Sequence, residues 1–119
     1  MRKLKRIGFF RELEHGDPEG PSLVASCRDS QRPIEADIVA YLKEGCLLVG
    51  TPGVTTNFFS SEQVVGSPDI LTDGIWAWPS DLAFYLETYH VELPNEFVEH
   101  VNRNSFCVPQ ALDVSEVEL

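Results

Sequence analysis

A chain of 119 residues, 43% hydrophobic and 10% aromatic, is long enough for one buried core, too short for two, and too apolar for a disordered segment. Its net charge of −10 is divided unevenly. The first eleven residues hold five of the nine basic side chains (Arg2, Lys3, Lys5, Arg6, Arg11) and no acid, so the remainder sets four bases against nineteen acids. Such a body repels nucleic acid and anionic membrane and speeds association with a basic partner, although acidity also serves solubility.

No apolar run approaches the roughly 18 residues of a membrane span, and the stretch after MRKLKR acquires charge too soon for a signal-peptide core. A cytoplasmic protein is expected. Cys27, Cys46 and Cys107 are odd in number and lack a CxxC spacing, so neither a disulfide framework nor a zinc site is implied.

In chain order, residues 4–13 read as a strand whose basic start frays, followed by a loop, HGDPEGPS, rich in turn formers. Residues 23–27 suit a single helical turn led by Pro21 and Ser22. The first full helix is expected over residues 33–44. Ile34, Ile38, Tyr41 and Leu42 form its apolar stripe, Glu35, Lys43 and Glu44 lie opposite, and Gly45 ends it. CLLVG at 46–50 reads as a central strand covered on both sides. Residues 51–67 carry no firm element: an edge strand at 63–65 and a loop laying Phe58 and Phe59 over the core both fit.

Asp73-Gly74 then signals a two-residue type I′ hairpin, pairing Thr72 with Ile75, Leu71 with Trp76, Ile70 with Ala77 and Asp69 with Trp78. Alternation puts Asp69, Leu71, Trp76 and Trp78 on one face and Ile70, Ile75 and Ala77 on the other. Pro79 opens a helix with Asp81 in its first turn and Leu82, Tyr85, Leu86 and Tyr89 at helical spacing. Pro94 opens another with Phe97, Val98 and Val101 inward. The acidic tail, residues 110–119, is expected to be mobile. The whole makes a single α+β domain over residues 1–119, an antiparallel or mixed sheet with a DG hairpin packed on three helices.

Trp76 and Trp78 are the first candidates for partner binding, with Asp69 and Asp73 as an acidic rim, because rigid aromatics dominate contact energies. The competing reading is that a helix covers the two rings. His90, Glu96, Glu99 and His100 are metal-binding types at a spacing that matches no established site, so no metal is assigned. Neither GxGxxG nor GxxxxGK[ST] occurs, no Cys-His nucleophile pattern is visible, and no catalytic residue or cofactor is expected.

The run DGIWAWPSDLAFYLETYHVELPNEF, through Asp73, Gly74, Trp76, Trp78, Pro79, Asp81, Leu82, Tyr85, Leu93, Pro94 and Phe97, resembles a segment of small acidic bacterial proteins. Some of these are similar to immunity proteins of polymorphic-toxin systems. The resemblance implies a non-enzymatic protein-binding module, an inhibitor whose acidic surface occludes a basic toxin such as a nuclease. Two further readings stand beside it: a small enzyme or ligand-binding domain with a pocket near Trp76, Trp78 and His90, and a self-associating domain that uses the hairpin as a homodimer contact.

Overall fold

The computed structural model describes residues 1–109 and 112–119. Its elements are β1 (Arg2–Lys3), β2 (Lys5–Arg6), α1 (Leu23–Ser26), α2 (Glu35–Lys43), β3 (Cys46–Val49), β4 (Thr55–Asn57), β5 (Ser60–Gly66), β6 (Ile70–Thr72) and β7 (Trp76–Pro79), followed by α3 (Leu82–Tyr89), α4 (Asn95–Arg103), a 3-10 turn (Val114–Glu116) and β8 (Val117–Glu118). The main sheet is mixed and runs β2-β7-β6-β3, with β2 parallel to β7 and the other pairs antiparallel. Helices and sheet together make an α+β fold. Its radius of gyration, 13.6 Å, matches the roughly 13.5 Å of a compact chain of this length.

The hairpin at the middle of the sheet has a different register from the expected one. Thr72 pairs with Ala77, Leu71 with Trp78 and Ile70 with Pro79, so each β7 partner lies two residues further along than the turn signal implies. Side-chain bonds widen the turn. The Asp73 carboxyl accepts from the backbone N–H of Ile75 (2.9 Å) and Trp76 (2.8 Å), while the Thr72 hydroxyl donates to the Trp76 carbonyl (2.7 Å) and accepts from Gly74 N–H (3.0 Å). Of Asp73 and Gly74 only Gly74 has positive φ, 99°, so the turn is not the type I′ expected, which needs positive φ at both central residues. Because the slip is even, facing is preserved, and Leu71, Trp76 and Trp78 still share one side.

That side carries the main core. Tyr41 of α2 and Phe97 of α4 lie against Trp78, with ring centroids 6.1 and 5.9 Å away, Phe97 meets Trp76 edge-on at 5.3 Å, and Trp78 Nε1 donates to the Leu42 carbonyl. The opposite side has a smaller cluster of Leu4, Ala77 and Val117. Of the two readings of the tryptophans, the one in which helices cover both rings is the one the fold adopts. Phe97 and Tyr41 are large enough to close over both indoles.

Several other boundaries differ for physical reasons. The strand expected at 4–13 ends at Arg6, because Gly8 turns the chain with φ 74°. A side chain there would meet Leu82 at 2.7 Å. β3 is an edge strand, not a central one, and Leu47 and Val49 are 56% and 40% exposed. The basic start and the expected tail meet: β1 pairs in parallel with β8, and Val117 is buried. The rest of that expected tail, residues 110 and 111, lies outside the described residues. Glu35, assigned to the outer side of its helix, is buried instead, with its carboxylate 2.8 Å from His90 Nδ1. His90 reaches it from a left-handed position, φ 54°, that ends α3.

Candidate functional site

Of the residues put forward for partner binding, three belong to the interior. Trp76 is 5% exposed and Trp78 not at all, so neither offers a contact surface, and Asp73 is 2% exposed. Asp73 serves as a clip. Its Oδ2 accepts from the Tyr41 hydroxyl at 2.5 Å and lies 2.8 Å from His100 Nε2, and Asn104 donates to the same Tyr41 oxygen at 3.1 Å. Burial, with the Asp73 bond adding to it, pushes the Tyr41 phenol well above its ordinary range. Asp69 sits near the surface and holds the ends of the 51–67 segment. Its carboxylate accepts from Thr51 N–H (2.9 Å) and the Ser67 hydroxyl (2.7 Å), and those bonds lower its pKa.

The metal-type residues are drawn apart. His90 goes to Glu35, His100 to Asp73, and Glu96 to Lys5 at the surface. Among the described residues no three His, Cys, Asp or Glu side chains gather as a metal-binding group.

The surface that stands out is one the sequence left without an element. β4 and β5 form a hairpin of their own, with register breaks at Thr55/Thr56 and Thr56/Asn57, and β5 is exposed along nearly its whole length. Two tyrosines of α3 hold it. Tyr89 accepts from Asn57 Nδ2 at 2.7 Å, and Tyr85 accepts from Phe58 N–H at 3.0 Å. This anchorage places the turn residues Phe58 and Phe59 on top of α3, with Phe59 4.6 Å from the Tyr89 ring, Phe58 5.3 Å from Phe59, and Phe84 6.2 Å from Tyr89. Phe58 and Phe59 remain 44% and 42% exposed, and Val54 and Val64 on the same hairpin are more exposed still. They rest on the helix without being enclosed by it. An exposed group of large apolar side chains with exposed acids on the same elements, Glu62 and Glu87, has the make-up of a recognition surface.

Beside the hairpin, a cleft of about 430 Å³ is lined by Glu12, Glu14, His15, Thr55, Asn57 and Phe58, among others. His15 Nε2 lies 2.9 Å from Oδ2 of the buried Asp81, close enough for an ion pair but misaligned for a hydrogen bond. That contact raises the His15 pKa above its ordinary value, against desolvation, and Glu14 adds a weaker attraction. Glu12 is committed to α1, accepting from the Ser22 hydroxyl and from Leu23 and Val24 N–H. A larger cavity of about 500 Å³ lies at residues 6–10 and 92–95. Neither space is lined by Trp76, Trp78 or His90, the residues around which the ligand-binding alternative puts a pocket.

Phe58, Phe59, Phe84 and Tyr89 do not stand out as a group in the sequence. The available signal was two adjacent phenylalanines inside a polar run, NFFSSEQ. Against known proteins, the chain matches no family model, no curated protein and no solved structure.

Proposed function

We propose that the chain is a non-enzymatic protein-binding module, and more specifically an immunity-type inhibitor that covers a basic surface on a toxin such as a nuclease. The observation that carries this reading is the exposed pair Phe58 and Phe59, seated on the partly buried Phe84 and Tyr89, on an otherwise acidic body. Half-exposed aromatics of this kind act as anchors when a partner desolvates them, and the surrounding acids steer a basic partner toward them.

The test is protection of cells that produce a basic toxin encoded beside this gene. Co-production of the chain should restore growth, and the double variant Phe58→Ala, Phe59→Ala should lose both protection and binding while melting at an unchanged temperature. Binding should also weaken as salt is added. A neighbouring metabolic operon with no toxin, or protection indifferent to both variant and salt, would overturn the reading.

Self-association is a second reading, favoured by the open edge of β3, where Leu47 and Val49 are exposed next to unpaired backbone groups. Sizing of the wild type and of Leu47→Lys decides it: a dimer that the substitution dissolves supports the reading, and a monomer in both removes it.

A further inference from the structure

The cavity of about 500 Å³ falls within the usual range for small-molecule sites, about 300–1,000 Å³. It exists because Gly8 turns the chain out of β2 and carries it past Pro21 toward the segment that begins α4. Its apolar walls are Ile7, Phe9, Phe10, Pro21, Leu93 and Pro94. Ile7, Phe9, Phe10 and Leu93 are each less than a tenth exposed, so the core fixes its shape. Pro21 and Pro94 have no N–H to donate, so two of the walls lack half of the hydrogen-bonding ladder an extended peptide would need.

The one cation that lines this cavity, Arg6, carries no ion pair among the described residues. Its guanidinium lies 5.9 Å over the Phe9 ring. Of the two carboxylates of the lining only Glu92 is ion-paired among the described residues. Glu92 is held by Arg28 and Arg32, which lower its pKa, and Asp17 accepts from Glu19 N–H at 2.9 Å. The acidic body as a whole opposes an anion, but this end of the chain carries its basic residues, and screening confines distant charges to about 8 Å at physiological ionic strength.

We propose that this cavity binds a free apolar monocarboxylate of medium chain length, its alkyl chain against Ile7, Phe9, Phe10 and Leu93 and its carboxylate on the Arg6 guanidinium. Arg pairs with a carboxylate through two parallel N–H donors, and the Phe9 ring lies within cation–π range of the Arg6 guanidinium. The site is separate from the aromatic surface of β4 and β5, and the proposal stands or falls independently of the inhibitor reading.

The experiment is a titration of the full chain with sodium octanoate, butyrate, octanol and octylamine, followed by calorimetry and by amide chemical shifts. Octanoate should bind, with shifts concentrated at residues 6–10 and 92–95. Each buried methylene multiplies affinity by about fourfold, so butyrate should bind about two orders of magnitude more weakly. Arg6→Gln, an exposed position whose backbone pairing is kept, should weaken octanoate by about tenfold or more and leave octanol unchanged. Octylamine binding as well as octanoate, shifts elsewhere, no binding of octanoate, or an Arg6→Gln protein that binds it normally would each overturn the proposal. The comparison of octanoate with octylamine needs only the wild-type chain, so the proposal remains testable if the variant fails to fold.

Discussion

Two hairpins of this chain, β6–β7 and β4–β5, take opposite positions in the molecule. In the first, the Thr72 and Asp73 side chains satisfy the turn's own amides, and the second oxygen of Asp73 reaches the Tyr41 hydroxyl and His100 on two different helices. In the second, the bonds come from the tips of Tyr85 and Tyr89, and the turn's aromatic rings lie on the helix instead of under it. Strand pairing is common to both. What separates the core hairpin from the surface hairpin is whether its large rings lie beneath the helices, as Trp76 and Trp78 do, or on top of one, as Phe58 and Phe59 do.

The hardest way to break this contrast is Asp73→Ala. It leaves Tyr41, His100 and two turn amides without their acceptor, and buried unpaired groups cost about 1–3 kcal/mol each, so a loss of about 3–5 kcal/mol is expected in urea denaturation. A loss below about 1 kcal/mol would show that the clip is not what holds the hairpin. Tyr41→Phe tests one arm of the same clip and should cost about 1–2 kcal/mol, because the ring still packs on Trp78 while its hydroxyl is gone.

On the surface hairpin the order of effects inverts. Phe58→Ala with Phe59→Ala should change stability by no more than about 1 kcal/mol in total, since both rings are already partly in water, yet should cost a partner about 2 kcal/mol or more of binding. A large loss of stability would instead mark the pair as core. The smallest effect concerns His15. Its pKa is raised in the fold, so the His15–Asp81 contact contributes fully below the free value of 6.5, and that contribution is lost as pH rises through the higher folded value. His15→Gln should therefore flatten the stability profile between 6.5 and the raised folded value, in melts taken at closely spaced pH; a profile identical to wild type would refute the linkage.

The two longer C-terminal helices were legible because Tyr85, Leu86, Phe97 and Val101 recur at helical spacing and Pro94 caps the second. Pro79, expected to open the first, instead ends β7 and pairs with Ile70, so that α3 starts only at Leu82 after Asp81. Facing in the central hairpin was legible too, being set by alternation alone. Its register was not, since the bonds of Thr72 and Asp73 that widen the turn are tertiary in effect though local in sequence. CLLV could not reveal an edge, because an apolar run reads the same whether one side of it is covered or two. Glu35 and His90 stand 55 positions apart, and no periodicity joins them. The aromatic surface went unseen for a related reason: Tyr85 and Tyr89 looked like ordinary inward residues of a helix, and only the fold shows that their hydroxyls carry a second hairpin.

The two-residue slip at Asp73-Gly74 also bears on what lengths this turn can tolerate. An insertion or deletion of two residues at the tip keeps odd and even positions in step and leaves both indoles facing Phe97. A change of one residue turns β7 over, presenting Ala77 to the helices and both tryptophans to the opposite side. Loop length at this point is thus constrained in even steps, and related or engineered chains with this architecture should vary there by pairs of residues.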